Sequence, residues 1–341
     1  MSTTRLPAEQ LAAALEPAVH RNLPLSGGAQ VRNFHRTDRG FATETYTFEL
    51  VDESRSLPLV FRRPPEMALF PDYDLLRQVL VMRRLADTDI PVATPIWLDR
   101  EGDDLGGPYF VMNRLTGEAP SDYPSYHVAG NYFEATPEQR ERMWWGCVDT
   151  IADIHLLDWR ALRLDFLALP QHGSSPVEQI VNYLDSALGW AATGNQPETY
   201  RRAIAYLRAN RYEPEHITLC WGDARMSNIL YDKDFRVSGV LDWEIAYLGD
   251  HEADLAWLLF LDWASSEFEG RAPLPGTPTR EETIAYYEKR AGMPVRNLRY
   301  NEILAAVLLS VPLLRMANRI QLPPEMNITG FCTTRIEQLL S

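Results

Sequence analysis

Apolar residues recur at two different periods along the chain, and the change of period divides it. Within 7–22, Leu11, Leu15 and Val19 stand at helical spacing; Pro7 suits a first helical turn, and Pro17 is set to kink or end the helix. The stretch 27–52 breaks into short apolar runs separated by glycine and polar residues, the pattern of strands joined by turns. Residues 45–52 and 57–63 read as an antiparallel pair. Between 70 and 87, Leu75, Leu76, Val79, Met82 and Leu85 return to a period of about 3.6 and predict a single amphipathic helix. Strands resume at 95–99 and 108–114, on either side of the glycine-rich turn 101–107.

Beyond Gly117 the pattern becomes helical. Residues 119–135, rich in proline, serine and tyrosine, predict a linker or a substrate loop. Thr136, Pro137 and Gln139 then form a helix-start signal, continued by Met143, Trp144, Cys147, Val148, Ile151 and His155. Further helices are expected at 176–193, 197–209, 251–264, 280–291, 298–319 and 331–340. One hairpin interrupts them, with short strands at 229–231 and 237–241. The expected class is α+β: a small antiparallel sheet with one helix over 1–113, then a larger, mainly helical region over 114–341.

Charge narrows the partners. A formal charge of −14, from 33 basic and 47 acidic residues, disfavours nucleic acid or an anionic membrane, because either would be repelled. A neutral or cationic small molecule is easier to accommodate. No stretch approaches the ~18 uninterrupted apolar residues of a membrane span. Residues 1–22 lack the basic start and compact apolar run of a signal peptide. The cysteines, Cys147, Cys220 and Cys332, are widely spaced and odd in number, which suits a reducing compartment. The expectation is a cytoplasmic protein with no nucleic-acid or membrane partner, its oligomeric state left open.

Candidate chemistry concentrates in 219–257. Asp223 and Asn228 stand five apart on a loop, the hairpin follows, and Asp242 arrives as its second strand ends. Phosphoryl transfer from a nucleotide needs such a set: one carboxylate to accept the hydroxyl proton, and an amide and a second carboxylate to hold Mg²⁺ on the phosphates. Asp223 is the candidate base, and Asn228 and Asp242 the candidate metal ligands. Taken singly, each is an ordinary turn or cap residue; their order around two strand-like runs favours the chemical reading.

The run WGDARMSN, followed by LDWE and LGDHEADLAW, resembles the aminoglycoside phosphotransferase and choline kinase group of protein-kinase-like enzymes. Within it, the chain is most similar to bacterial phosphotransferases related to the kinase-like domain fused to some eukaryotic acyl-CoA dehydrogenases. GFATET, VFRRPP, RRLADTDIPVATP, YFVMNRLTG, ADIHLLDW and YYEKRAG extend the likeness over about residues 25 to 320. The resemblance implies a bilobal fold with an N-terminal nucleotide-binding lobe over 1–113 and a catalytic and substrate-binding lobe over 114–341. It implies ATP and Mg²⁺ as cofactors, Asp223 as base, and Asn228 and Asp242 on the metal. Arg62 falls at the family's phosphate-binding position on the third strand, where many relatives have lysine, and Arg63 beside it competes for the role. Residues 40–45 fall at the loop over the phosphates, with Gly40 and Thr43 as contacts. The Asn113 carbonyl and Leu115 amide fall where the adenine is held. Asp254 matches the buried aspartate that braces the catalytic loop; His155 reads as a core histidine; Arg225 either meets the phosphoryl group or an acidic substrate group, or braces the loop.

Two positions depart from the pattern. Trp221 stands where the group usually has histidine, and Gln78 stands where a helix usually offers glutamate to the strand-three cation. An amide at 78 can hydrogen-bond Arg62 but cannot form an ion pair. Three functions stay open at this point. One is a kinase for a small hydroxylated metabolite such as a hydroxyacyl-CoA, and another is an antibiotic phosphotransferase. The third is a nucleotide-binding pseudokinase, for which the two departures speak.

Overall fold

The computed structural model describes residues 6–23, 29–37, 43–52, 55–194, 196–323 and 326–341. The chain forms two compact units. Unit 1 comprises Met1–Ala68, Asp72–Asp87 and Val92–Leu115; unit 2 comprises Leu69–Pro71, Thr88–Pro91 and Thr116–Ser341.

Unit 1 opens with α1 (Ala8–Asn22), followed by β1 (Gln30–Arg36), β2 (Glu44–Val51) and β3 (Ser56–Arg63). Next come α2 (Leu75–Leu85), β4 (Pro95–Asp99) and β5 (Tyr109–Asn113). The five strands form one antiparallel sheet in the order β1-β2-β3-β5-β4. Alternation along the strands sends Tyr46, Phe48, Leu50, Leu59 and Phe61 to one face, where Leu11, Leu15, Ala18 and Val19 of α1 cover them. That burial explains why α1 runs on to Asn22 with Pro17 inside it, so that the proline does not end the helix. The lost backbone bond is outweighed by the apolar stripe on either side of the proline. The second helix is shorter than expected, because the Asp74 side chain caps it by accepting from the Leu76 amide at 2.8 Å.

Unit 2 contains α3 (Gly130–Glu134), α4 (Pro137–His155), α5 (Pro176–Ala191) and α6 (Glu198–Ala209). Four short strands follow: β6 (Ile217–Cys220), β7 (Ile229–Tyr231), β8 (Val237–Val240) and β9 (Tyr247–Asp250). The chain continues through α7 (Glu252–Ser265), α8 (Arg280–Ala291), α9 (Leu298–Arg319) and α10 (Gly330–Leu340). Thr136 and Gln139 close the capping box expected at the start of α4. By length and composition α9 is apolar enough to cross a membrane, but 61% of that stretch is buried within the unit, where α9 packs on α5, α6, α7 and α10. That is the environment of a core helix. Residues 119–135 are not a free linker. Ser125 Oγ donates to the Ser265 carbonyl at 2.9 Å, and the Tyr126 hydroxyl and His127 Nε2 both meet Asp262 Oδ1, at 2.6 and 2.9 Å. The segment is therefore fastened to the end of α7.

Candidate active site

The site is built on a strand pair that hydrophobic patterning does not reveal. β6 and β9 pair antiparallel from Ile217↔Asp250 to Cys220↔Tyr247, so the chain leaves β6 into the loop 221–228 and leaves β9 into α7. Asp254, in the first turn of α7, is buried. It accepts from the Trp221 amide at 2.6 Å and the Gly222 amide at 2.8 Å, and lies 3.0 Å from His155 Nε2. The other ring nitrogen of His155 lies 2.6 Å from the Tyr287 hydroxyl. One carboxylate thus ties α7, α4 and α8 to the start of the loop, and His155 is a fully partnered core histidine.

Trp221 is buried as well, and its indole donates to the Leu241 carbonyl at 2.8 Å while the ring packs on Trp243. It links the loop to the residue before Asp242. Past Asp223, Met226–Asn228 make a 3₁₀ turn in which the Asn228 amide donates to the Arg225 carbonyl at 3.0 Å. The Asn228 carbonyl accepts from the Leu241 amide at 2.9 Å, and Ile229 pairs with Val240 directly after. The hairpin therefore brings Asn228 beside Leu241, and Asp242 follows with a φ of 56°, unusual for a residue with a side chain.

Both oxygens of the Asp223 carboxylate are held. Oδ2 accepts from Asn228 Nδ2 at 2.7 Å, and the same nitrogen donates to the Asp223 carbonyl at 3.0 Å. Oδ1 accepts from the Trp257 indole at 3.0 Å and lies 3.0 Å from Arg225 Nε. Arg225 Nη1 in turn meets both oxygens of Asp122, at 2.7 and 2.8 Å. Burial pushes the Asp223 carboxyl above its usual range. The Arg225 guanidinium opposes that shift, the Asp242 charge adds to it, the Asn228 bond opposes it, and the Asp122 charge adds to it. Because the Asn228 nitrogen faces Asp223, the amide oxygen is the atom left for a cation. With the Asp242 carboxylate it offers the hard oxygen donors that Mg²⁺ takes. Two other buried donor clusters, His155–Cys220–Asp254 and Asp250–His251–Glu252, are compact enough for a metal. In both, the histidine nitrogens already face protein partners.

The remaining expected site residues belong to unit 1. Arg62 and Arg63 sit on opposite faces of β3. Arg63 is engaged, with Nε 2.7 Å from Glu44 Oε2 and Nη1 3.0 Å from the Leu6 carbonyl. Arg62 is buried opposite Thr45 and Phe110. The buried Thr43 hydroxyl meets the Tyr73 hydroxyl. Gly40 lies outside the described residues. Gln78 is buried on the apolar stripe of α2 with Leu75, Met82 and Leu85, and neither atom of its amide has a hydrogen-bond partner among the described residues. The expected bond from Gln78 to Arg62 is therefore not made. Asn113 is tied to Thr94 by its own amide at 3.2 Å and by its side-chain oxygen, which accepts from the Thr94 amide. The Leu115 amide donates to no group among the described residues.

The sequence profile of the phosphotransferase enzyme family matches residues 23–292. The chain belongs to this family. Among its relatives is mouse (Mus musculus) acyl-CoA dehydrogenase family member 10, 27% identical over 266 residues that cover 75% of this chain and 24% of that protein. The chain thus spans about a quarter of that relative's length. A candidate aminoglycoside phosphotransferase of Ralstonia eutropha JMP134 superimposes with a TM-score of 0.68 at 20% identity, covering 96% of this chain and 95% of its own. A thermostable mutant of aminoglycoside phosphotransferase APH(4)-Ia, in ternary complex with ADP and hygromycin B, gives 0.60 at 14% identity, covering 95% and 97%. These likenesses show the protein-kinase-like fold.

In this member of the family, two partners of Asp223 escape sequence reasoning. Trp257 reads as one more aromatic at helical spacing, where core packing is the ordinary meaning. The clue available is that it follows Asp254 by three, on the same side of α7. Asp122 lies in a segment whose composition signals only a loop, and nothing local announces its pairing with Arg225.

Proposed function

We propose that this phosphotransferase moves the γ-phosphoryl group of ATP, in the presence of Mg²⁺, to a hydroxyl of a small metabolite. The observation that carries this reading is the carboxylate of Asp223, oriented at both oxygens and set beside an amide oxygen and a second carboxylate. As the acceptor oxygen bonds to the γ-phosphorus, its proton passes to Asp223 and the bond to the β-phosphate oxygen breaks, releasing ADP. The Asn228 oxygen and Asp242 hold Mg²⁺, which neutralises phosphate charge when bound. Arg62 forks onto nucleotide phosphates. The Asn113 carbonyl and the unengaged Leu115 amide take the edge of the adenine. Trp221 supports activity rather than a pseudokinase, since its indole supplies the brace the usual histidine would provide.

For the acceptor, the likeness to acyl-CoA dehydrogenase family member 10 supports a hydroxyacyl-CoA. The net charge of −14 would suit a polycationic aminoglycoside instead. Three free, buried cysteines support a reducing cytoplasm. Incubating the protein with Mg-ATP and a panel of hydroxyacyl-CoAs and aminoglycosides, with mass-spectrometric detection of phosphorylated product, tests the reading. Asp223→Asn should lower turnover by about 10²- to 10⁴-fold while nucleotide binding survives. A wild type that binds Mg-ATP and phosphorylates nothing would make the protein a pseudokinase. Metal-dependent nucleotide binding left unchanged by Asp242→Asn would refute the metal assignment.

A further inference from the structure

We propose that Trp257 is a positioning residue for the base: its indole N–H fixes Oδ1 of Asp223, so that Oδ2 is the oxygen that takes the acceptor's proton. This rests on the phosphotransfer reading above. A carboxylate offers about four acceptor positions, two on each oxygen. On Oδ1 one is met, by the indole at 3.0 Å, and the Arg225 guanidinium, with Nε 3.0 Å away as an ion pair without a hydrogen bond, sets a positive charge against a proton on that oxygen. On Oδ2 one is met, by Asn228 Nδ2 at 2.7 Å, and one is free to receive a proton.

The indole can hold this geometry because α7 holds the indole. Trp257 is 4% exposed, and its neighbour one turn earlier on the helix, Asp254, binds the two amides that precede Asp223. The same helix acts on the cation beside Oδ1. Asp262 fastens Tyr126 and His127, a few residues from the Asp122 that grips Arg225. Backbone, Oδ1 and guanidinium are therefore all referred to one rigid element, which is what a base aimed within a few tenths of an ångström requires.

A tryptophan could be present only because it fills the core, and the test separates the two roles. Trp257→Phe keeps most of the ring and removes the donor. With Mg-ATP and water as the acceptor, kcat for hydrolysis should fall about tenfold or more, with KM for Mg-ATP unchanged. In an Asp223→Asn background the same change should have no further effect. In the wild type, the indole ¹H–¹⁵N resonance of Trp257 should move upfield in Asp223→Ala, while those of the other eight tryptophans stay near their places. That resonance requires neither turnover nor a folded Trp257→Phe protein. An unchanged kcat in Trp257→Phe, or an indole resonance indifferent to Asp223, overturns the proposal. A wild type that hydrolyses no ATP and phosphorylates no acceptor, yet shows the indole shift, would instead count against the phosphotransfer reading and leave the hydrogen bond standing.

Discussion

Gly222 has a φ of 89°, and a Cβ built there would lie 2.4 Å from the Ile245 carbonyl oxygen. Both facts follow from the sharp turn that carries the chain from β6 past Asp254 and presents Asp223. An L-residue in this left-handed region costs about 1–2 kcal/mol. Here the collision is with backbone, which cannot swing away as a side-chain tip can. Gly292 offers the contrast. It caps α8 at a φ of 67° with nothing near its added Cβ, so alanine there bears only the conformational cost. Gly222→Ala should therefore lower the thermal midpoint clearly more than Gly292→Ala does, and should abolish phosphotransfer, whereas Gly292→Ala should leave it near wild type. Equal melting shifts for the two variants would show that the turn can relax around a methyl group.

At the scale of elements, α7 does more than its burial indicates, and Asp254 shows how much. Its carboxylate is the shared acceptor for two backbone amides and a histidine. Asp254→Ala leaves those donors buried and unpartnered, so unfolding in urea should lose about 3 kcal/mol or more. A loss below about 1 kcal/mol would mean that water enters and replaces the carboxylate. The helices themselves were legible in the sequence because long amphipathic periods and capping residues such as Thr136 with Gln139 act locally. β6 and β9 were not, being four residues each and buried at all but one position, so no alternation marks them. That residues 119–135 are fixed was hidden for a related reason: proline and serine signal a loop, but only tertiary contacts with Ser265 and Asp262 show that the loop is fastened. Within the site, the meeting of Asp223 with Asn228 could be read from their spacing on a short loop. The meeting of Trp257 with Asp223 spans 34 positions and depends on how α7 is seated.

For the molecule as a whole, the dependence of stability on pH is set in part by a buried ion pair at the junction of β9 and α7. His251 lies with Nδ1 2.9 Å from Asp250 Oδ1 and Nε2 3.1 Å from the Pro294 carbonyl. Both partners are acceptors, and the carboxylate beside Nδ1 favours the charged form of the ring. Burial alone would lower its pKa, but the bond and charge of Asp250, the charge of Glu252 and the Pro294 carbonyl together raise it above the ordinary 6.5. His216 and Tyr287 also face the ring, and neither brings a negative charge at neutral pH. For Asp250, burial pushes the pKa up, but the bonds from His251 and Tyr212, the His251 charge and the Glu252 amide bring it below its ordinary value. The signs are opposite for the two groups. The contribution of His251 is complete below its unfolded pKa of about 6.5 and is lost as pH rises through the higher folded value. That of Asp250 is complete above its unfolded pKa of about 3.9 and is lost as pH falls through the lower folded value. His251→Gln should therefore destabilise the protein most between about pH 4 and about pH 6.5, and the gap from wild type should narrow by about pH 9. Urea unfolding of both proteins at several pH values measures that gap; one that stays constant into the alkaline range would mean the ring is neutral and bonded to only one of its two partners.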